Sequence, residues 1–382
     1  MKINWPDGLD EAGFLQQYWQ QKPLLIPQAF AGFSNPIDPD ELAGLACDPD
    51  SNARFMQRVK GDEWRMCPGP LSDDFFDDVS GSDWSLLVSD VEKLLPDFRD
   101  YLQPFRFIPD WRIDDLMISY APVGGSVGAH VDQYDVFLLQ SSGVREWQIE
   151  TSRRSGQQQS VSSDISLLVD FEADQIYQLK AGDMLYLPPR FAHHGIAREE
   201  ACMTWSVGFR APSVDEMLPA VVNYFLESIN THKRFTDPER KVTPCAGRID
   251  EADLQQLRKM LRTAFQQDDH TLSEWIGRHL SESRLTDEEP EPNDTDWPEI
   301  HATLGKNNTL VANSHKNFLY KEQGRAAILF ADGLSYRCSI KFAESLCNTR
   351  QINYHDITTE DQAIVVALYN QHNLLLEERG QH

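Results

Sequence analysis

The sequence lacks the features that mark secreted, membrane-spanning or disulfide-bonded proteins. Its first residues, MKINWPDGLDEAGF, contain no apolar core followed by a small-residue cleavage site, so no secretory signal is expected. No stretch approaches the roughly 20 apolar residues that a helix needs to span a bilayer. The six cysteines form no CxxC pair, which argues against a disulfide framework and against a zinc knuckle. We therefore expect a cytoplasmic protein in a reducing compartment.

Basic residues are also scarce. Lys and Arg total 35 against 60 Asp and Glu, which gives a formal net charge of -25. Such a surface repels phosphate backbones, so it disfavours a general nucleic-acid binder and permits a basic protein partner. An acidic surface also serves solubility alone, and the composition leaves both interpretations open. The 382 residues are 41% hydrophobic and 10% aromatic, enough for packed cores in two or three domains.

Short β-prone runs separated by turn residues fill residues 105–210. Upstream of them, Phe14–Phe30 predicts an amphipathic helix followed by a Pro-bounded apolar strand. Because no helices alternate with the later runs, these runs indicate an antiparallel sandwich or barrel and not a doubly wound fold. The six strands predicted there are Asp115–Tyr120, Asp135–Gln140, Glu146–Glu150, Ile176–Leu179, Asp183–Leu187 and Met203–Phe209.

The pattern becomes helical after Pro212. Apolar residues recur at three- and four-residue spacing, which predicts a helical region over 213–285. Asp250 and His270 lie where capping groups of two of these helices are expected. The Pro-broken segment that follows holds seven acids and no base, so we expect a linker over 286–300. The predicted helices are Val214–Lys233, Glu251–Gln267 and Thr271–Ser283.

Residues 301–382 predict a small α/β unit. A strand pair, Ala326–Phe330 and Ser335–Cys338, is flanked by helices near Lys341–Cys347 and Asp361–Leu376. This order is compatible with a winged-helix-like domain. The segment holds eight basic and eight acidic residues, whereas a DNA reader normally has a positive face. We therefore expect a packing or protein-contact role and no direct DNA binding.

The most informative motif is the run GAHVD at residues 128–132. On extended backbone residues i and i+2 share a face, so His130 and Asp132 can offer an imidazole nitrogen and a carboxylate oxygen to one cation. A third ligand is expected from the later run PPRFAHHG, as either His193 or His194. Two histidines and one carboxylate leave coordination positions open, as in non-haem Fe(II) oxygenases, whereas closed zinc sites use four ligands. An isolated His-x-Asp is more often a surface or hydrogen-bonded pair.

These motifs resemble those of the JmjC-type Fe(II)/2-oxoglutarate oxygenases. Within that group the chain is similar to the bacterial ribosomal oxygenases, which hydroxylate an arginine of large-subunit ribosomal protein number sixteen. The resemblance covers essentially the whole chain. The segments that carry it are YWQQKPLLIPQAF (18–30), DDLMISYAPVGGSVGAHVDQYDVFLLQ (114–140), GDMLYLPPRFAHHG (182–195) and WSVGFRAP (205–212).

The resemblance implies an α+β protein with four parts. These are a JmjC oxygenase domain built on a double-stranded β-helix (1–212), a helical dimerisation region (213–285), the acidic linker (286–300) and a winged-helix-like C-terminal domain (301–382). The matching motif positions assign the metal ligands to His130, Asp132 and His193, and the 2-oxoglutarate contacts to Ser119 and Arg145. From the residues alone, a buried hydroxyl bonded to backbone remains open for Ser119, and a surface strand arginine remains open for Arg145.

The same resemblance implies the activity. Fe(II) is the expected metal, 2-oxoglutarate and O2 are the co-substrates, and Cβ of an arginine in a basic ribosomal protein is hydroxylated, with succinate and CO2 as co-products. The enzyme is expected to be a homodimer. A guanidinium substrate favours aromatic faces and carboxylates, for which Tyr134 and Asp135 are candidates, with ordinary core roles equally open. The alternatives are a cupin-like metal protein without oxygenase activity, a JmjC demethylase and a non-enzymatic nucleic-acid module.

Overall fold

The computed structural model describes the chain in two compact units. One unit contains residues 1–211, and the other contains residues 212–283 and 291–377. Within the described residues, no helix is both long and apolar enough to cross a membrane. The description leaves out residues 7, 62, 155–166, 169, 229–233, 239, 241–246, 248, 266–267, 284–290, 305–308 and 378–382.

The first unit is built mainly from twelve strands. Its α-helices are α1 (Glu11–Gln17), α2 (Pro39–Ala46) and α3 (Val91–Leu94), with 3-10 turns at Phe75–Asp78, Pro96–Phe105 and Asp110–Arg112. The strands are β1 (Leu24–Ile26), β2 (Asn52–Lys60), β3 (Glu63–Pro68), β4 (Trp84–Ser89), β5 (Ile113–Ala121), β6 (His130–Val131), β7 (Asp135–Ser142), β8 (Val144–Arg153), β9 (Gln175–Lys180), β10 (Met184–Leu187), β11 (Phe191–Ala197) and β12 (Cys202–Phe209).

These strands form two antiparallel sheets. The large sheet has the order β1-β10-β7-β12-β5-β4-β2-β3, and the small sheet has the order β6-β11-β8-β9. From β5 to β12 successive strands alternate between the sheets, apart from the β8–β9 hairpin within the small sheet. Apolar side chains from both sheets, such as Leu138 of β7 and Ile149 of β8, pack together in the interior. The double-stranded β-helix predicted from the sequence is confirmed.

The N-terminal segment covers the outer face of the large sheet. Asp10 caps α1 by accepting from the Gly13 amide, and the helix places Phe14 in the core. The ring of Phe14 is fully buried, with its centre 4.8 Å from that of Tyr186. Burial of a side chain of this size contributes about 1.5–3 kcal/mol to folding. Because both faces of the large sheet are covered, its central strand β12 is buried along its whole length.

The second unit combines helices with two small sheets. The helix over Asp269–Ser281 packs on the three-stranded sheet of residues 318–338 so closely that a Cβ at Gly277 would lie 2.3 Å from Cζ of Phe330. Its helices are α4 (Val214–Ser228), α5 (Glu251–Phe265), α6 (Asp269–Ser281), α7 (Trp297–Leu304), α8 (Ile340–Thr349) and α9 (Gln362–Asn370). Its strands are β13 (Thr309–Ala312), β14 (Phe318–Gln323), β15 (Ala326–Ala331), β16 (Leu334–Cys338), β17 (Gln351–Ile352) and β18 (Leu374–Glu377).

The predicted helix over Asp361–Leu376 is wrong in its last part. The helix α9 ends at Asn370, His372 adopts a left-handed φ of 56°, and the apolar residues after it form β18. This strand pairs with β13, a contact that the local sequence does not reveal. His270 is not the cap of α6, because Asp268 accepts from the first amides of that helix.

Two other predicted segments lie partly outside the described residues. Residues 229–233 and 266–267, expected to be helical, lie outside the described residues, as do residues 286–290 of the expected linker. Within the remainder of the acidic segment, the Asn293 amide donates to the Asn370 carbonyl, and α7 begins at Trp297. The segment is therefore attached to α9 before it reaches α7.

Candidate active site

The pairing of β6 with β11 brings the histidines of the sequence motif together. His130 stands opposite His193 in the ladder, and their ring centres lie 4.3 Å apart. Asp132 Oδ1 lies 3.9 Å from His130 Nε2, and Asp132 Oδ2 lies 3.6 Å from His193 Nε2. One ligand atom of each residue lies within 4.8 Å of the other two. The three residues that the sequence analysis singled out therefore converge on one point.

Backbone carbonyls orient both imidazoles toward this point. Nδ1 of His130 lies 3.0 Å from the Gly128 oxygen, and Nδ1 of His193 lies 3.0 Å from the Phe191 oxygen. With Nδ1–H donating to these carbonyls, each Nε2 keeps its lone pair for a cation. Burial, with the charge of His130 as a further cause, lowers the pKa of His193 to about 4, so this ring is neutral at pH 7.

This donor set fits Fe(II). Two neutral imidazoles and one carboxylate on one side of an ion form the facial arrangement of non-haem iron sites. In the part of the chain that the structure describes, no fourth His, Cys, Asp or Glu joins the group, so three protein ligands leave further positions for small molecules. A closed structural zinc site would need the fourth ligand.

The second histidine of the pair, His194, points the other way. It follows His193 on β11, where successive side chains alternate between the faces of the sheet. His194 stands opposite Gln148 of β8 and its ring centre lies 6.1 Å from that of Phe171. Strand alternation thus separates the tandem histidines, and His193 alone faces Asp132. Within the run PPRFAHHG, the strand β11 begins at Phe191, so both histidines lie on regular strand backbone.

Arg145 is a buried cation whose hydrogen-bonding capacity is not used by the described residues. It lies on β8, is 4% exposed and faces the barrel interior with Trp147 and Ile149. Its Nε and Nη2 have no hydrogen-bond partner within the described chain. A buried, unpaired donor costs about 1–3 kcal/mol, more when it is charged, so the position favours an anionic ligand. The burial of Arg145 excludes the surface-arginine alternative that the sequence left open.

Trp147 lines the barrel interior next to both Arg145 and the candidate metal ligand His193. Its ring centre lies 5.8 Å from that of His193, and the Arg145 guanidinium lies 5.8 Å from the indole. Opposite Trp147 on β11 stands Gly195, where a Cβ would approach the indole to 2.7 Å. The absence of a side chain at Gly195 therefore leaves space for the indole of Trp147.

Ser119 lies on the opposite sheet, at the same end of the barrel as Arg145. The two sheets meet there through Ala121, Ala197 and Cys202, and Ala197 stands opposite Arg145. Ser119 Oγ donates to the Thr204 carbonyl at 3.3 Å. The backbone-bonded alternative therefore describes its hydroxyl in this structure, and a contact to a ligand requires that hydrogen to turn away from the carbonyl.

The two residues considered for a guanidinium substrate have different environments. Tyr134 is 42% exposed, and the charge of the Asp132 carboxylate raises the pKa of its phenol above the usual value. Asp135 is fully buried and accepts from the Tyr186 hydroxyl at 2.6 Å and the Gln20 amide at 2.9 Å. Asp135 therefore anchors the N-terminal segment, and Tyr134 alone is accessible to a substrate.

Asp115 is a site residue that the sequence analysis missed. It lies on β5 at the same side of the strand as Met117 and Ser119, facing the barrel interior. Removal from water, together with the charges of Asp90, Glu92 and Asp114, raises the pKa of Asp115 to about 7. The available signal is an acid at the start of the otherwise apolar strand segment LMISYA, on the same face as Met117 and Ser119.

Comparison with known proteins places this geometry in a family context. The family model described as JmjC domain matches residues 100–217, and the model described as ROXA-like winged helix matches residues 264–374. The Escherichia coli (strain K12) protein named ribosomal protein uL16 3-hydroxylase is 38% identical over 296 residues, which are 76% of this chain and 76% of that protein. The winged-helix-like expectation for the C-terminal part is thereby confirmed.

Solved structures agree over nearly the full length. The crystal structure of E. coli YcfD covers 99% of this chain and 100% of its own, with a TM-score of 0.84 and 30% identity. A structure of YcfD, described as a ribosomal oxygenase in complex with cobalt and 2-oxoglutarate, has a TM-score of 0.80 and 30% identity, covering 99% of each chain.

Proposed function

Since this chain belongs to the JmjC-type ribosomal oxygenases, we propose that it hydroxylates Cβ of an arginine in ribosomal protein uL16, using Fe(II) and 2-oxoglutarate. The observation that carries this proposal is the convergence of His130, Asp132 and His193 in a barrel whose interior also holds the buried Arg145, two nitrogens of which have no partner within the described residues. When bound together, the iron, 2-oxoglutarate and O2 convert the Cβ–H bond to Cβ–OH and release succinate and CO2.

In this proposal the chain's residues bind and orient the reactants. His130, Asp132 and His193 hold Fe(II) from one side. Arg145 forms a charge-assisted, bidentate pair with the distal carboxylate of 2-oxoglutarate, and Ser119 adds its hydroxyl hydrogen. The buried indole of Trp147 excludes water between the iron ligands and Arg145.

The substrate guanidinium is assigned to Asp115 and Tyr134. A partly buried carboxylate forms a charge-assisted pair with a guanidinium, and an exposed aromatic ring offers its face to the same planar cation. Asp115 is ionised above about pH 7, and a bound guanidinium opposes the rise of its pKa by stabilising the charged carboxylate. Asp132 also lies beside Tyr134, so the ring joins the substrate site to the metal site.

The test is hydroxylation of a uL16 peptide. We expect the Fe(II)-loaded protein to add one oxygen atom to an arginine-containing uL16 peptide at pH 8, measured by mass spectrometry with fragmentation to locate the modified carbon. Asp115→Asn should lower peptide affinity by about 10- to 100-fold, because a charge-assisted bond is lost, and should leave 2-oxoglutarate binding unchanged.

The outcomes separate the alternatives. Loss of a methyl group from a methylated peptide, without oxygen gain on arginine, would replace hydroxylation with demethylation. Absence of any oxygen gain on uL16 peptides would contradict the proposal. A cupin-like protein without oxygenase activity is set aside by the family membership.

We also propose a homodimer formed through the helical region. The helices α4 and α5 each carry leucine or valine pairs spaced four residues apart and open to solvent. Val214 and Leu218 are 74% and 53% exposed, and Leu257 and Leu261 are 42% and 63% exposed. Residues four apart share a helix face, and contiguous exposed apolar faces mark interaction surfaces.

Light scattering at micromolar concentration tests the dimer. We expect the mass of two chains for the unmodified protein and of one chain for the double variant Leu257→Asp, Leu261→Asp, because two buried charges oppose association. Leu334→Asp is the matched control, since this leucine is 41% exposed on β16 and should leave the mass unchanged. A monomeric unmodified protein would refute the proposal.

We place the enzyme in the cytoplasm, where free thiols persist. Among the described residues, Cys47, Cys67, Cys202 and Cys338 carry free thiols, as is usual in a reducing compartment.

A further inference from the structure

Gly208 is a glycine whose backbone does not require glycine. It lies within β12, pairs with Val136 of β7, and its φ is outside the left-handed region. A glycine inside a strand weakens the strand and often marks a position that another group approaches closely. The surroundings of residue 208, and not its backbone conformation, therefore explain why it has no side chain.

The space beside Gly208 is bounded by the residues assigned to the substrate. A Cβ built on Gly208 would lie 3.1 Å from Asp115 Oδ1 and 3.9 Å from Tyr134 Cε2. A guanidinium nitrogen bonded to that carboxylate oxygen would stand at about 2.7–2.9 Å from it. A methyl group at residue 208 would thus compete with that guanidinium nitrogen for the same position.

The strand register directs Asp115 toward this space. The pairing of β12 with β5 shifts between Val207 and Phe209, so that Asp114 and Asp115 both lie beside the single residue Gly208. Asp114 is held by Arg210, with Oδ1 at 3.0 Å from Nε. Bulges of this kind redirect side chains next to active sites, and here the bulge accompanies an inward carboxylate.

We propose that Gly208 is the specificity-determining position of the substrate pocket. Its missing side chain leaves the gap between the Asp115 carboxylate and the Tyr134 ring, and a planar guanidinium enters that gap. The inference rests on the proposed function and adds to it the residue that admits the arginine side chain.

The variant Gly208→Ala tests the inference by adding a methyl group to the protein. Its affinity for the arginine-containing uL16 peptide should fall by about 10- to 100-fold, as expected when a charge-assisted bond is lost. Binding of 2-oxoglutarate to the Mn(II)-loaded protein, measured by calorimetry, should not change. Gly44→Ala is the matched control, because a Cβ at Gly44 has no other atom within 4 Å.

A second measurement places the extra methyl group on the ligand and uses the unmodified protein. A peptide with symmetric dimethylarginine keeps the positive charge but carries one methyl group on each terminal nitrogen. Its affinity should fall by about 10-fold or more, the discrimination that tight pockets achieve against added methyl groups. This measurement decides the matter if Gly208→Ala loses 2-oxoglutarate binding through misfolding.

Three outcomes are distinguishable. Loss of peptide affinity with retained 2-oxoglutarate binding supports the role of Gly208. Unchanged affinity of Gly208→Ala for the arginine peptide, or of the unmodified protein for the dimethylated peptide, overturns it while the hydroxylase proposal stands. Failure of the unmodified protein to bind or hydroxylate any arginine peptide removes both.

Discussion

Replacing Arg145 with methionine is expected to raise the 2-oxoglutarate concentration needed for half-maximal turnover by at least about 100-fold, because truncating one partner of a buried ion pair costs about 3–5 kcal/mol. Arg145 is 4% exposed, and two of its nitrogens have no partner within the described residues. Methionine fills a similar volume without the charge. Without 2-oxoglutarate, the variant should melt no lower than the parent, since it removes an unsatisfied buried cation.

Calorimetric titration of 2-oxoglutarate into the Mn(II)-loaded protein, together with thermal melting with and without the acid, measures both effects. Arg198→Met is the matched control, because Arg198 follows β11 at the surface and pairs with Glu146 at 2.7 Å. A purely structural role for Arg145 predicts the opposite pattern: a lower melting temperature for Arg145→Met and unchanged affinity for 2-oxoglutarate. That pattern would withdraw the assignment.

The tandem histidines should separate completely in function. His193→Ala is expected to abolish turnover and to weaken Co(II) binding. Removal of a residue that only hydrogen-bonds to a metal ligand lowers metal affinity by about 10- to 100-fold, and the loss in His193→Ala should be larger. His194→Ala should retain metal binding, because its ring lies on the other face of β11. The reason is strand geometry, since adjacent residues cannot direct their side chains to one cation.

Absorption titration with Co(II) under anaerobic conditions measures this difference. Each variant serves as the control of the other, because the two positions share the same strand and the same residue type. Equal metal affinities for the two variants, or a greater loss in His194→Ala, would contradict the ligand set of His130, Asp132 and His193.

Local sequence was sufficient to bring His130 and Asp132 together and to find most of the barrel. The i, i+2 rule places these two residues on one face, whereas the third ligand stayed open between His193 and His194 until the family motif assigned it to His193. The six predicted strands are all present, whereas β2, β3 and β4 were not predicted. Their mixed burial patterns depend on the neighbours that cover them, and those neighbours are distant in sequence.

The residues proposed to bind the substrate were harder to predict from the sequence. Asp135 and Asp115 are both acids in apolar strands, and only tertiary partners distinguish them. Asp135 bonds Gln20 and Tyr186, which are 115 and 51 residues away, while Asp115 lies beside a register shift and Gly208. No local pattern encodes such pairings, so the sequence alone points to Asp135, beside the HxD motif, and not to Asp115.

The ladder between β8 and β11 also sets which keto acid the enzyme can accept. Arg145 stands opposite Ala197 and Ile149 stands opposite His193, so four residues of paired backbone, about 13 Å, separate the position of the cation from that of the proposed iron ligand along the strands. Hydrogen-bonded strands do not stretch, and a slip by one residue would turn both side chains outward. The main-chain pairing of β8 with β11 therefore fixes how long a dicarboxylic keto acid must be to reach Arg145, and so discriminates between shorter and longer acids.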